Sequence, residues 1–286
     1  MQLGQPSRTA LGAARARAFH QDADEPRIFD DPLAVLIAKA ADEAVEEAQA
    51  DDGIPMEARI FLAMRHRFAE NELSAHADTI RQVVVLGAGL DTFGLRNPFP
   101  GMTVFEVDHP DTQAWKRARV ADAGIPVPAS LRFVPVNFET DSLAEQLTAA
   151  GFDGSAPTFF LWLGVVQYLT AAAVDTTLRF IADLPAPARV ILDYSEPISA
   201  LPPQNKATME ILARVMERLG EPWLSLFTAD EIAAKLTGFG FDQIEDLDWA
   251  RMIARFAPTS AAADQVGGHV LSAAHPGRVA AALEGP

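Results

Sequence analysis

Val83-Val84-Val85-Leu86-Gly87-Ala88-Gly89-Leu90-Asp91-Thr92 is the stretch on which the reading of this chain turns. Four β-branched or aliphatic residues in a row, without alternation and stopped by glycine, predict a strand buried on both faces of a sheet. Gly87 and Gly89 then fall at its carboxyl end, where glycine permits a tight turn and lets a ligand approach the backbone with no Cβ in the way. Twenty-one residues after Gly87, at the end of a second predicted strand over 104–107, comes Asp108. A carboxylate there can accept both ribose hydroxyls of a nucleoside cofactor. The competing reading is a doubly wound protein that uses Gly-x-Gly only to turn a corner, with Asp108 as a cap ahead of Pro110. A dinucleotide fold would want a third glycine at position 92, so that the following helix packs close and its N-terminus faces a pyrophosphate. Thr92 stands there instead, which favours a nucleoside ligand without a pyrophosphate, and S-adenosylmethionine is the common one.

Outward from this turn, similar apolar runs at 103–107, 132–136, 158–163 and 189–192 alternate with segments of helical period at 111–123, 141–150 and 171–183. Strand and helix in alternation predict an α/β, doubly wound, mostly parallel sheet covered on both faces. Two last strands, 241–247 and 269–273, would close an antiparallel end, and a helix is expected near 206–219. Thr228 precedes Glu231 by the three residues of a capping box. The first 80 residues read as helix. Over 33–50 the apolar positions Leu33, Leu36, Ile37, Ala40, Ala44, Val45 and Ala48 recur on one face, and Asp30-Asp31-Pro32 supplies an aspartate cap with proline at the first helical position. A second helix is expected over 56–77.

Composition bounds the function. The chain has 286 residues, 39 acids against 23 bases, a formal charge of −16 and no cysteine. Binding to nucleic acid, or to an anionic membrane surface, by the usual electrostatic route needs a basic face, so neither is expected. The absence of cysteine removes disulfide scaffolds, thiolate metal sites and cysteine nucleophiles, and fits a reducing cytoplasm. The uncharged stretch 159–174 is interrupted by Gly164, Gln167 and Thr170 and falls short of the ~20 apolar residues of a membrane span. Residues 1–19 carry arginines but no continuous apolar core, so no secretory signal is expected. Six acids over 42–52, with no base among them, mark a solvated helix face.

The sequence resembles the leucine carboxyl methyltransferase-like group of class I S-adenosylmethionine-dependent methyltransferases, especially its bacterial O-methyltransferases. The resemblance rests on Ser7-Arg8-Thr9-Ala10, Phe29-Asp30-Asp31-Pro32-Leu33-Ala34, Arg65-His66-Arg67-Phe68, the turn from Val85 to Thr92, and Phe105-Glu106-Val107-Asp108-His109-Pro110. It continues through Lys116-Arg117-Ala118-Arg119 and Trp162-Leu163-Gly164-Val165 to Tyr168-Leu169-Thr170. It implies a Rossmann-like sheet of seven strands, the last antiparallel, in a catalytic domain over 79–286 behind an N-terminal helical lid over 1–78. It implies S-adenosylmethionine as cofactor, with the Gly87, Ala88 and Gly89 turn and Leu163 near its methionine part, Asp108 on the ribose, and Asn137 and Phe138 bordering the adenine. Arg65, rather than Arg67, would grip the cofactor carboxylate. Class I enzymes in general carry an acid at the position of Val85, and eukaryotic carboxyl methyltransferases a glutamate at that of Leu163. The missing glutamate at Leu163 points away from a protein C-terminus as substrate and towards a small-molecule acceptor.

Methyl transfer from a sulfonium needs alignment and exclusion of water more than proton chemistry. A carboxylate acceptor is already ionised and wants a cation, for which Arg8, Arg15 and Arg17 are candidates, although arginines on a helix are more often solvated. A hydroxyl acceptor wants a base, usually histidine. His66 and His109 flank the expected pocket, each more often a structural residue than a base. Tyr168, with Arg65, is the candidate catalytic residue, its hydroxyl facing the acceptor; a half-buried core tyrosine is the competing reading. Trp162 reads as core. No histidine or carboxylate spacing suits a metal, and none is expected. The expected function is O-methylation of a small-molecule carboxylate or hydroxyl in secondary metabolism, in the cytoplasm, with a homodimer as the macromolecular assembly. The alternatives are an NAD(P)-dependent oxidoreductase, which shares the strand–glycine–acid pattern, and a cofactor-binding protein without catalysis.

Overall fold

The computed structural model describes residues 7–43, 55–258 and 268–278. Seven strands form one sheet: β1 (Gln82–Leu86), β2 (Thr103–Asp108), β3 (Leu131–Pro135), β4 (Thr158–Trp162), β5 (Ala188–Ser195), β6 (Asp242–Leu247) and β7 (Gly268–His275). Their order across the sheet is β3-β2-β1-β4-β5-β7-β6. From β3 to β5 all neighbours run parallel, and β7 runs antiparallel to both β5 and β6. The sequence is read correctly here: a doubly wound sheet of seven strands with one antiparallel member. β1 and β4 are buried along their whole length, as unbroken apolar runs demand, whereas the edge strand β6 is mostly exposed.

The helices α1 (Arg8–Ala23), α2 (Ala34–Glu43) and α3 (Met56–Ala75) precede the sheet. Next come α4 (Phe93–Arg96), α5 (Pro110–Asp122), α6 (Leu143–Ala149), α7 (Ala171–Ala182), α8 (Pro203–Arg218), α9 (Ala229–Gly238) and α10 (Trp249–Phe256). Most starts have a local cause. Ser7, Ser142, Thr170 and Asp248 accept backbone N–H groups at the heads of α1, α6, α7 and α10, and Thr228 with Glu231 completes the expected capping box of α9.

Each face of the sheet carries a core. On one, Val83, Val85, Phe159, Leu161 and Ile191 pack with Ile37, Met64, Phe68 and Leu73 of the N-terminal helices and Met252 of α10. On the other, Val84, Leu86, Phe160, Trp162 and Val190 meet Leu147, Val174, Leu178 and Ile232. Trp162 is core, as its sequence context suggests. Fully buried rings such as Phe68, Phe105, Phe159 and Phe160 each contribute about 1.5–3 kcal/mol by leaving water. The N-terminal helices therefore share their hydrophobic core with the sheet.

Two expectations change. The helix expected from residue 33 begins at Ala34, because Pro32 and Leu33 form a turn in which the Asp31 carbonyl, at 3.1 Å, accepts the Ala34 N–H. The Asp31 carboxylate is not a cap; it is buried and engaged elsewhere, as described below. The later part of that helix, and most of the acidic run over 42–52, lie outside the described residues. The connection between the last two strands holds α10, whose eight residues were too short to stand out as a period although Trp249, Met252, Ile253 and Phe256 carry it.

Candidate active site

The carboxyl ends of β1, β2, β4 and β5 converge on one edge of the sheet, where open α/β folds bind ligands. Gly87 (φ +65°) and Gly89 (φ +47°) turn the chain out of β1 in the left-handed region that glycine alone enters freely. The turn is also tight: a Cβ on Gly87 would run into the Val165 side chain, and one on Gly89 would stand 3.0 Å from Cβ of Ala10 in α1. The Gly89 N–H donates to Asp108 Oδ2, and the His109 N–H donates to Oδ1 at 2.6 Å. Asp108 thus fixes the turn while keeping acceptor capacity on both oxygens. Burial raises its pKa above the ordinary carboxylate range, against the pull of these two N–H groups.

Beneath the turn lies a buried charge network. Asp91 Oδ1 accepts the Phe93 N–H at 2.7 Å and its Oδ2 pairs with His66 Nε2 at 3.2 Å. Lys116 Nζ donates to Glu106 Oε2 and to the Asp91 carbonyl, both at 2.6 Å. The Asp91 carboxyl is held far below the usual range by His66, Arg17 and Lys116 despite its burial, while burial lifts that of Glu106. Thr92 Oγ1 donates to Asp31 at 2.7 Å, and Asp31 is flanked by Arg17 and Arg96, each at 3.4 Å. Arg17 also donates to the Leu90 carbonyl at 2.6 Å. Position 92 therefore holds a hydroxyl that binds the N-terminal segment to the turn. The helix that follows, α4, has only four residues, so no long helix N-terminus is presented to a pyrophosphate.

Arg65 comes from α3 and is buried over the end of β4. Its Nη1 donates to Asp193 Oδ2 of β5 at 2.7 Å, and a Cβ on Gly164 (φ +75°) would stand 3.0 Å from its Nη2. The other Asp193 oxygen accepts the Gly164 N–H. Arg65 Nε is buried without a hydrogen-bond partner. Arg67, its neighbour, is exposed. Val165 links the two halves of the site, since it covers Gly87 and follows Gly164. Leu163 is half-buried against the core under the N-terminal helices.

Further along the same loop, Tyr168 is half-buried, and its hydroxyl reaches Met216 Sδ of α8 at 3.8 Å. It also faces Trp223, Glu221, Gln167 and Thr9, and burial raises its pKa. Glu221 holds α1 in place: its carboxylate accepts the Arg8 and Thr9 N–H groups at 2.9 and 3.1 Å, the Ser7 hydroxyl at 3.2 Å, and the Thr9 hydroxyl.

Other candidates are placed elsewhere or given other work. Asn137 follows β3 beside Asp108, whose carbonyl accepts the Val136 N–H at 2.8 Å, but its own side chain accepts the Glu139 N–H at 3.1 Å and shapes a turn. Phe138 lines a cavity of about 120 Å³ with Ser142, Ala173 and Thr177. His66 is buried between Asp91 and the Leu62 carbonyl. His109 Nδ1 accepts the Asp111 N–H at 3.3 Å as the cap of α5. Arg15 pairs with Asp42 at 2.6 Å, and Arg8 is exposed. Asp193, Gln167, Glu221 and Trp223 were not singled out from sequence. A lone acid in the apolar run Ile191-Leu192-Asp193-Tyr194 was a readable sign of a functional carboxylate; the other three carry no such sign. Among the described residues, no helix is long and apolar enough to cross a membrane.

Comparison with known proteins bears on this edge directly. The sequence profile of the family described as leucine carboxyl methyltransferase matches residues 10–182, from the residue that covers Gly89 to the end of α7. The chain is 31% identical over 284 residues to YktD of Bacillus subtilis, covering 86% of this chain and 92% of that protein. It is 33% identical over 263 residues to a Mycobacterium avium protein, covering 84% and 80%. Both relatives are provisionally named S-adenosyl-L-methionine-dependent methyltransferases. In fold, it is similar to a Thermobifida fusca protein provisionally called a methyltransferase, with a TM-score of 0.57 at 18% identity over 95% of this chain and 96% of the other. A DUF574 family protein of Streptomyces avermitilis gives a TM-score of 0.54 at 16% identity, covering 92% and 97%. The sequence match spans the whole of the glycine turn, Asp108, Arg65 and Tyr168, and the chain belongs to the leucine carboxyl methyltransferase family of S-adenosylmethionine-dependent methyltransferases.

Proposed function

We propose that this methyltransferase acts on an oxygen of a small molecule, a carboxylate or a hydroxyl, in secondary metabolism. The observation that carries this reading is the continuity of the edge from Asp108 through the Gly87–Gly89 turn and Val165 to Arg65 and Tyr168. It joins groups suited to a nucleoside amino acid to the polar side chains around the Tyr168 hydroxyl. The residues present fit the cofactor. Asp108 offers free lone pairs to a ribose diol, and two positive-φ glycines leave room against the backbone. Arg65 brings a buried guanidinium with an unpartnered Nε to a carboxylate.

Bound there, S-adenosylmethionine supplies a methyl group on a positively charged sulfur. Its chemistry there would be transfer of that methyl group to an acceptor oxygen, with the C–S bonding pair left on a neutral sulfur. Because charge is lost along the way, alignment and exclusion of water do most of the work. Arg65 and Asp108 would hold the donor at its two ends. Ala10 of α1 covers the turn, and Tyr168 borders the acceptor. A carboxylate acceptor arrives ionised. A hydroxyl acceptor gives up a proton, and Glu221 is the carboxylate among the side chains around Tyr168.

Titration calorimetry with S-adenosylhomocysteine tests the reading. Micromolar binding is expected at pH 7, weakened at least tenfold by Asp108→Ala. On acidification the wild-type affinity should fall about tenfold per pH unit below the pKa of Asp108. Burial raises that pKa, so the loss begins above the usual carboxylate range near pH 4. Asp108→Asn should remove the pH dependence. Absence of binding at pH 7, or binding indifferent to Asp108, overturns the assignment of the site.

A further inference from the structure

We infer that Asp193 is a positioning residue for the cofactor, turning the Arg65 guanidinium towards the carboxylate of the donor's amino-acid end. Along β5 every second side chain faces the N-terminal helices, and Ile191 on that face belongs to the same apolar core as Met64 and Phe68 of α3. Two residues on, the same face presents a carboxylate. Asp193 is 3% exposed, so its charge has to be matched inside the protein. One oxygen accepts the Arg65 Nη1–H at 2.7 Å, and the other accepts the Gly164 N–H. A single acid thus joins α3, the loop after β4 and the carboxyl end of β5.

Stability does not call for this arrangement, because a well-packed apolar pair of similar volume holds a core at least as well as a buried ion pair. Nor is the pair closed upon itself. Asp193 engages Nη1 alone, Nε of Arg65 is buried without a hydrogen bond, and Nη2 lies against the bare backbone of Gly164, 3.0 Å from where a Cβ would stand. The guanidinium therefore keeps donors in reserve, fixed in direction by the bond it has already made. A group held in one orientation before its ligand arrives loses less freedom on binding. Arg67, two residues along α3, is exposed and serves as the contrast.

Asp193 has this role only if the edge holds the donor with Arg65 at its carboxylate, and the experiment keeps the two readings apart. Titration calorimetry on the full chain compares S-adenosylhomocysteine with 5′-methylthioadenosine, which has the same nucleoside and no amino-acid end. Asp193→Asn keeps an oxygen for the Gly164 N–H and removes the charge that holds Arg65. It should weaken S-adenosylhomocysteine by about tenfold, the worth of one hydrogen bond to a charged group, and leave 5′-methylthioadenosine within about twofold of the wild type. Retained binding of 5′-methylthioadenosine shows that the variant is folded. In an Arg65→Met background the same substitution should weaken S-adenosylhomocysteine no further, because Asp193 acts through Arg65. Asp193→Glu, which keeps the pair charged but displaces the guanidinium, should separate the two ligands in the same direction, and it carries the test if Asp193→Asn does not fold. Equal losses for both ligands mark a merely structural role and overturn the inference, as do unchanged binding of S-adenosylhomocysteine or additive losses in the double variant. Failure of the wild type to bind S-adenosylhomocysteine overturns the donor site itself.

Discussion

The region beneath the glycine turn and the region beneath α8 border the same edge and are built on opposite principles. Under the turn, nearly every charge is buried and matched: Asp91 by His66, Glu106 by Lys116, Asp31 by Arg17 and Arg96, Asp193 by Arg65. Around α8, no residue of the helix is buried, and Ile211, Leu212 and the nearby Leu224 expose apolar side chains. Buried polar atoms without a close partner occur on both sides, Gln167 Oε1 and Asn205 Oδ1 here, and Arg17 Nε, Arg65 Nε and Glu106 Oε1 under the turn. The half we propose for the donor is held by ionic pairing in a buried interior. The half we propose for the acceptor lies under a helix none of whose residues is buried, the arrangement expected where one ligand is fixed by the family and the other varies.

That contrast can be broken at its strong end first. Lys116→Met leaves the Glu106 carboxylate buried without its cation, and loss of one partner of a buried pair costs about 3–5 kcal/mol. Urea unfolding should show it, and a loss below about 1 kcal/mol would mean that the network is decorative. Gly89→Ala forces a side chain into left-handed backbone against Ala10, at about 1–2 kcal/mol; a neutral result would show the turn to be yielding. At the weak end, Ile211→Ser on α8 should change stability by no more than about 0.5 kcal/mol. A larger loss by the same urea measurement would show that α8 is packed after all, and would erase the distinction.

Much of the sheet was legible because its signal is local. Unbroken apolar runs ending in glycine or an acid mark parallel strands wherever they stand, and β1, β2 and β4 announce themselves in five or six residues each. Gly87, Gly89 and Asp108 were readable for the same reason: their spacing along the chain is their geometry. The neighbours of Asp31 suit a helix cap, and nothing near it in sequence indicates its true partner, Thr92. Gln167, Glu221 and Trp223 were out of reach, since what distinguishes them is the company of Tyr168, assembled from α1, the loop after β4 and the segment after α8.

The bond between Thr92 and Asp31 spans 61 residues, that between Arg17 and Leu90 spans 73, and that between Arg65 and Asp193 spans 128. Loops of this length close late, because their entropy must be met before the contacts reward it. These long-range contacts are therefore expected to form late as the chain folds, and no fragment ending before β5 can pair Arg65 with Asp193. A chain emerging from synthesis lacks this pairing until just over two thirds of it has been made, so ligand binding at the proposed site would report completed folding of the whole edge.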